Sequence, residues 1–356
     1  MPRRTATPNP SAPEAPITVT GFALAAGMAP EYRLVDMSAD TSEGALPSTV
    51  TIREVGPRDG FQNEPEIIPT AAKVELIEAL ARTGLERIEL TSFVRPDVIP
   101  QLADAAEVLA AVRLPESVIG SVLIPNERGL ERSLEVRGAA GGRPAFDEVS
   151  VFLSASETHN RRNVGRGVAE SLAGLEAVIA LATQEGIPCE AVVATAFGCP
   201  YEGAVPRVRV LELAEALAAA GARELGFGDT TGMANPVQVA AFFPAAREAL
   251  GPGVELTAHF HNTRGQGLAN ALAALQAGVE SFESSFGELG GCPVPAGATG
   301  NIATEDLVSM LETMGVATGV DLDALIACAR RAQEILGRPL GSHTLVAGPV
   351  GELAAH

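Results

Sequence analysis

The sequence is poor in several residue types, and each shortage limits what the protein can be. It has no tryptophan and only 4% aromatic residues against 46% hydrophobic residues overall. Ala, Val, Leu and Ile are therefore expected to build the core, which suits parallel strands covered by helices. No apolar run is long enough to span a membrane. None of the four cysteines forms a CxxC pair, which disfavours a structural zinc cluster and favours free thiols in a reducing compartment, the cytoplasm.

Positive charge is also scarce. The net charge of −19 disfavours binding to a phosphate backbone, which needs clustered cations. Lys73 is the only lysine of the chain. Its helical pattern places it on an exposed turn, so we exclude Schiff-base catalysis. Neither a nucleic acid nor a membrane is expected as a partner.

The chain divides into three parts by pattern. Residues 1–47, rich in Pro, Ala, Ser and Thr, predict a disordered leader; a transit peptide is the alternative, disfavoured by Glu14, Glu31 and Asp36. Residues 48–320 alternate apolar runs with helical patterns, and predict a TIM (β/α)8 barrel of the α/β class. The eight predicted strands are 51–56, 87–92, 117–125, 146–154, 187–198, 223–229, 254–261 and 279–287. Residues 321–356 predict a short C-terminal helical extension.

Two of the five histidines, His259 and His261, are only two residues apart. The apolar stretch before them predicts a strand, and side chains two apart on a strand share a face. Both imidazoles should therefore project together from the carboxyl end of that strand. The pair alone is as typical of a hydrogen-bonded strand end as of a metal site.

Further polar residues follow the predicted strands at their carboxyl ends, where the active sites of such barrels lie. They are Arg58 and Asp59 after the first strand, Glu89 and Ser92 on the second, Asp229 and Thr230 after the sixth, and Asn301 at the helix after the eighth. Asp59, the two imidazoles and the Asn301 carbonyl would form a mixed N/O shell that suits Mg²⁺ or Mn²⁺ as well as zinc. For Asp59 alone, a turn role in "PRDG" is the alternative. Gln62, Ser92 and Thr230 are the candidates for substrate binding.

Of four other candidate residues, three have two open interpretations each and Glu89 has one. Cys292 lies in a glycine-rich loop that could cover a substrate, where it is either an acid–base group or an inert thiol. Glu305, four residues after Asn301 and on the same predicted helix face, either supports the site or favours the positive helix N-terminus. Glu89, if buried, should pair with Arg58. His159 begins a basic loop that either meets an anionic substrate, such as a CoA phosphate, or is solvated.

Taken together, these motifs resemble the 3-hydroxy-3-methylglutaryl-CoA (HMG-CoA) lyase family, one of the metal-dependent lyase and synthase barrels with an HxH pair. The matching motifs are, in chain order, "REVGPRDGFQNE", "IELTSFV", "GCPYEG", "GDTTG", "HFHNTRGQGLAN", "LGGCP" and "GATGNIATEDLV". The resemblance covers residues 50 to about 315. It implies retro-Claisen cleavage of a 3-hydroxy-3-methylacyl-CoA to acetyl-CoA and a keto acid, with Mg²⁺ or Mn²⁺. It also implies a homodimer.

The resemblance assigns a role to each matching position. It makes Asp59, His259, His261 and Asn301 the cation ligands and Arg58 the group that stabilises the enolate. Cys292 matches the cysteine of proton transfer, Asp229 and Glu89 match acidic partners, and Glu305 a supporting glutamate.

The chain departs from the family pattern at Asn262 and Arg264, where aspartate and tyrosine are usual, and at Glu288, a glycine-like position. An extra arginine beside the metal would suit another carboxylate, as in a citramalyl-CoA-type substrate. A condensing synthase of the same superfamily and a catalytically idle metal-binding barrel are the rival interpretations.

Overall fold

Eight parallel strands form a closed barrel in the computed structural model, which describes residues 46–138, 143–291 and 300–350. In chain order, β1 to β8 are Thr51–Glu54, Arg87–Ser92, Ile119–Leu123, Glu148–Ser154, Cys189–Ala194, Glu224–Asp229, Glu255–Phe260 and Ser281–Ser284. β1 pairs with β8 from Thr51↔Ser281 onward, and this closes the barrel. Each predicted strand is confirmed, with ends trimmed by a few residues. The predicted leader lies outside the described residues except for positions 46 and 47.

Helices follow the strands and cover the outside of the barrel. Within the described ranges, α1 to α11 are Thr70–Leu80, Ala105–Ala111, Glu127–Arg137, Glu157–Val164, Val168–Gln184, Arg207–Ala219, Pro236–Leu250, Gly267–Gln276, Thr304–Thr313, Leu322–Leu336 and His343–Ala347. The side chains of Asn126, Ser156, Asn235, Asp321 and Ser342 cap five of them by accepting a backbone N–H three residues on. Gly337, in the left-handed conformation, ends α10. None of these helices is both long and apolar enough to cross a bilayer.

The core between strands and helices is aliphatic, as the composition predicts, but phenylalanine contributes more than expected. Phe197, Phe227, Phe242, Phe243 and Phe260 pack together with ring centroids 4.9 to 6.5 Å apart. Edge-to-face contacts of this kind add to the free energy gained from burial alone. This cluster supports β5 to β7, the strands that lead to the polar end of the barrel.

The amino-terminal half of the barrel interior is charged, a feature that the apolar strand patterns did not predict. Arg53 donates to Glu190 at 2.7 Å and also pairs with Glu224. Arg87 pairs with Glu224 at 2.9 Å and with Glu148 at 3.4 Å. Branched apolar side chains usually fill such barrels. Here ion pairs fill the end opposite the candidate site.

The prediction for Lys73 is wrong in its position. Lys73 is only 2% exposed, and its ammonium donates to the Gln101 carbonyl and to Asp104, both at 2.5 Å. A buried ammonium needs such partners, and this one ties α1 to the segment after β2.

The described part of the predicted C-terminal helical extension contains α10 and the short α11. α10 packs against α1 and α9, with Leu325, Cys328 and Ala329 buried. Arg338, just after α10, pairs with Glu64 next to the turn that follows β1. The extension is therefore tied to the carboxyl-terminal side of the barrel.

Candidate active site at the carboxyl ends of the strands

The turn after β1 brings Arg58 and Asp59 to the mouth of the barrel. It is a single wide helical turn, Gly56–Gly60, with a proline at its start. Side chains at the two flanking glycines would clash: a Cβ at Gly56 would lie 2.5 Å from Phe286, and one at Gly60 2.8 Å from Leu289. Arg58 donates to Asp59 at 2.7 Å, which orients the carboxylate.

Asp59, His259 and His261 form a cluster that can hold a metal ion. One ligand atom from each lies within 4.8 Å of the others. The histidines are on the same face at the end of β7, with their Nε2 atoms 3.1 Å apart. On the other side of its ring, His259 Nδ1 lies 2.7 Å from the Glu283 carboxylate on β8. A carboxylate in this position fixes the orientation of a ligand histidine and makes it more basic.

Asn301 completes the cluster, although it is not on a helix face with Glu305 as predicted. It forms an isolated bridge with His261, and α9 begins three residues later, at Thr304. Its Nδ2 donates to Asp59 Oδ2 at 2.8 Å. Its Oδ1 is buried and has no hydrogen-bond partner among the described residues. Since an orphaned buried acceptor is costly, this atom fits a fourth metal ligand.

The charges around the cluster favour ionised Asp59. Burial raises the pKa of Asp59, but Arg58 and the two imidazoles outweigh it, so the pKa is below its usual value. At Glu89, burial prevails and raises the pKa, although Arg58 donates to this carboxylate at 2.5 Å. The predicted pairing of Glu89 with Arg58 is confirmed. The donor set of one carboxylate, two imidazoles and one amide oxygen suits a divalent cation.

A cavity of about 730 Å³ opens above this cluster. Arg58, Asp59, Glu89, His259 and His261 line its inner end. The predicted substrate-binding residues Gln62 and Thr230 also line it; Gln62 donates to Asp59 at 2.7 Å, and the Thr230 hydroxyl accepts from the backbone N–H of Thr195 at 3.1 Å.

The outer end of the cavity is basic. Arg95, Arg162 and Arg166 line it, and Arg162 stacks over the Tyr201 ring at 4.2 Å. The predicted basic loop is the helix α4, and His159 on it is buried, with Nδ1 2.6 Å from the Ser154 hydroxyl. The interpretation of His159 as part of a solvated loop is therefore wrong. The local cations contrast with the acidic chain as a whole.

Three other predicted residues act through the backbone and are not among the described residues that line the cavity. The Ser92 hydroxyl accepts from the Val94 N–H at 3.1 Å, so it shapes a turn. One Asp229 oxygen accepts two N–H groups after β6, while the other has no partner in the described chain; burial raises its pKa to about 7. Both Glu305 oxygens accept from the Gly287 N–H, and burial raises this pKa to about 8. Cys292 lies outside the described residues.

Ser150, Tyr201 and Glu283 are functional candidates that were not predicted from the sequence. Ser150 donates to Glu89 at 2.5 Å from β4, and Glu283 supports His259. For Ser150 and Glu283 the only signal was a polar residue inside an apolar strand run, whereas Tyr201 lies in the turn region after β5. Arg264, predicted to meet a substrate carboxylate, instead donates to the carbonyls of Thr231 and Gly232, both at 2.8 Å.

Comparison with known proteins identifies the family of this chain. The HMGL-like family matches residues 49–331. A hydroxymethylglutaryl-CoA lyase of Bacillus subtilis is 47% identical over 84% of this chain and 97% of its own length. The chain belongs to the HMGL-like family. It is a carbon–carbon lyase, as the HMG-CoA lyases of this family are.

Two further HMGL-like relatives bear on the substrate. A (R)-citramalyl-CoA lyase of Chloroflexus aurantiacus is 42% identical over 85% of this chain and 95% of its own length. The structure of an HMG-CoA lyase of Acinetobacter baumannii in complex with coenzyme A and 3-methylmalate is 41% identical, with a TM-score of 0.81; it covers 88% of this chain and 99% of that one. The lyase assignment disfavours the idle barrel and the condensing synthase.

Proposed function

We propose that this lyase cleaves HMG-CoA to acetyl-CoA and acetoacetate and depends on Mg²⁺ or Mn²⁺. The observation that carries the proposal is the group of Asp59, His259, His261 and the unpartnered Asn301 Oδ1 at the floor of the cavity. When bound there, a divalent cation supplies Lewis-acid chemistry that makes a tertiary hydroxyl easier to deprotonate.

Arg58 is the residue that we assign to the developing negative charge. Cleavage of the carbon–carbon bond leaves the electron pair in the enolate of acetyl-CoA, with its charge on the thioester oxygen. Arg58 is fixed by Glu89 and Asp59, so its guanidinium needs little reorganisation to stabilise that oxygen. Preorganised donors of this kind usually give the largest contribution to the rate.

Two proton transfers complete the reaction. We assign the proton of the substrate hydroxyl to the Asp229 carboxyl, whose Oδ2 is buried without a partner in the described chain and whose pKa is about 7. Asp229 is not among the described residues that line the cavity, so the proton reaches it through a bridging water. A carboxyl with a pKa near neutrality can both accept and release a proton. We assign protonation of the enolate carbon to Cys292, whose thiol then recovers its proton from solvent.

The outer cavity suits the coenzyme A part of the substrate. Arg95, Arg162 and Arg166 line this part of the cavity. Arg95 and Arg166 are paired with the exposed carboxylates of Asp97 and Glu170, and such weak surface pairs can give way to a phosphate, which arginine binds in a bidentate manner. We further propose a cytoplasmic homodimer; in support of a reducing compartment, the described cysteines Cys189, Cys199 and Cys328 are free thiols.

A citramalyl-CoA-type substrate is the second candidate, since a relative with that activity is 42% identical. Arg264 gives it no support, because its guanidinium is bonded to backbone carbonyls.

The test is release of acetyl-CoA from HMG-CoA and from citramalyl-CoA, compared by kcat/KM with added Mg²⁺ or Mn²⁺. We expect the higher value for HMG-CoA, and we expect His259→Ala to abolish both activity and Mn²⁺ binding. His343→Ala, at a side chain 82% exposed in the C-terminal extension, is the matched control. A higher kcat/KM for citramalyl-CoA would favour the second candidate substrate over HMG-CoA. No turnover of either thioester with Mn²⁺ bound would refute the proposal.

A further inference from the structure

Two positions at which this chain departs from the family pattern contact each other. The Asn262 side chain donates through Nδ2 to Glu288 Oε1 at 3.1 Å. Asn262 directly follows the ligand candidate His261, whereas Glu288 lies in the turn Phe286–Glu288 after β8. An amide and a carboxylate are complementary at this distance, but two carboxylates would repel each other.

Glu288 adopts a backbone conformation that disfavours its side chain. Its φ is +61°, and it is one of two described residues other than glycine with a positive φ. The left-handed region costs free energy for a residue with a Cβ, and such residues often have a functional role. Glycine would adopt this conformation without strain, so we expect interactions of the Glu288 carboxylate to offset its cost.

Asn262 connects the two segments that carry ligand candidates. Its backbone N–H donates to the Gly300 carbonyl at 3.2 Å, next to Asn301, and its side-chain oxygen accepts from the Gly267 N–H at 3.3 Å. The backbone carbonyl of Glu288 packs directly against Gly300, since a Cβ on Gly300 would lie 2.1 Å from its oxygen. The orientation of Asn262 therefore affects the positions of both His261 and Asn301.

The C-terminal extension holds the other side of the Glu288 carboxylate. A Cβ on Gly341 would lie 2.0 Å from Glu288 Oε2, and the Gly341 N–H donates to the Gly287 carbonyl at 3.1 Å. Glu288 is thus confined between Asn262 and Gly341.

We infer that Glu288 is a positioning residue of the metal site. Its carboxylate, confined by Gly341, orients Asn262 and through it the segments that carry His261 and Asn301. The inference rests on the metal-dependent function proposed above and concerns this chain's own pairing of Asn262 with Glu288.

A double-mutant cycle with isosteric residues tests it, with Mn²⁺ affinity measured by calorimetry on the folded enzyme without substrate. Asn262→Asp places two carboxylates together and should weaken Mn²⁺ binding about tenfold, the low end for partners of metal ligands. Charge alone would act in the opposite direction, since an added carboxylate attracts the cation. Glu288→Gln keeps an acceptor for Asn262 and should change little. In the double variant that combines Asn262→Asp with Glu288→Gln, the introduced amide can donate to the introduced carboxylate, and most of the lost affinity should return.

The outcomes separate this inference from the proposed function. A wild-type protein that binds no Mn²⁺ would refute the metal site and the inference together. Mn²⁺ binding with additive effects in the cycle would refute only the positioning role, and unfolding midpoints measured in parallel reveal a change that is merely structural.

A second perturbation reaches Glu288 from the C-terminal extension. Gly341→Ala must displace the carboxylate, because it is the flexible end of a side chain, and should weaken Mn²⁺ binding like Asn262→Asp. Gly253→Ala is the matched control, since a Cβ there meets nothing within 4 Å. Equal Mn²⁺ affinity in the two alanine variants would contradict the role of the extension.

Discussion

Glu283→Gln tests how far the metal site depends on the carboxylate behind His259. Glu283 Oε2 lies 2.7 Å from His259 Nδ1, and both groups are buried. The amide oxygen of glutamine can accept the same N–H, so the ring orientation should survive and only the charge is lost. A hydrogen bond to an ionised acceptor is stronger than a neutral one by about 1–2 kcal/mol. This difference corresponds to a loss of about 5- to 30-fold in Mn²⁺ affinity.

The assay separates binding from catalysis. Mn²⁺ affinity is measured by calorimetry, and kcat is then measured at saturating Mn²⁺, where it should recover. Glu148→Gln is the control, because it removes a carboxylate from the other end of the barrel, where Glu148 pairs with Arg87. Unchanged Mn²⁺ affinity in Glu283→Gln, or an equal loss in the control, would refute the reasoning.

Three further predictions concern single residues. Arg58→Lys cannot keep both carboxylate contacts and should lower kcat about 100-fold with a smaller effect on Mn²⁺ affinity; unchanged kcat would contradict the role of Arg58. Glu305 has a pKa of about 8 when folded against an ordinary value of 4.5, so the native state keeps a proton that the unfolded chain releases. The stability of the wild type should therefore fall as the pH rises from 4.5 to about 8. Glu305→Gln should make the urea midpoint less dependent on pH in this range, and an unchanged pH dependence would contradict the prediction. Lys73 is buried, so an amine acylating reagent followed by mass spectrometry should modify it only in urea; rapid labelling of the native protein would contradict this.

The parts of the site that depend on local periodicity were predictable. His259 and His261 share a face because a strand has a period of two, and Arg58 and Asp59 follow a strand whose apolar pattern marks its end. The carboxyl ends of the strands in such a barrel meet at one mouth. These three facts bring Asp59 to the histidines without any knowledge of tertiary contacts.

Residues whose partners are backbone groups of loops were not predictable in the same way. Ser92 and Asp229 follow the same strand-end pattern as Asp59, yet they cap turns. Arg264 looked free to meet a carboxylate, but the carbonyls after β6 occupy it. Whether a polar side chain points to a pocket or to a carbonyl depends on loop geometry, and sequence pattern carries little information about that.

The charge of the cluster gives an argument for a divalent ion that is independent of the HxH motif. Around it, the carboxylates of Asp59, Glu89 and Glu283 are in contact with one described guanidinium, that of Arg58, or with His259. Imidazoles that bind a metal are neutral, so with all three carboxylates ionised the site has an excess of two negative charges. A monovalent ion would leave one of them uncompensated in a buried place, which costs free energy. A divalent ion cancels both, and the buried cluster is then neutral.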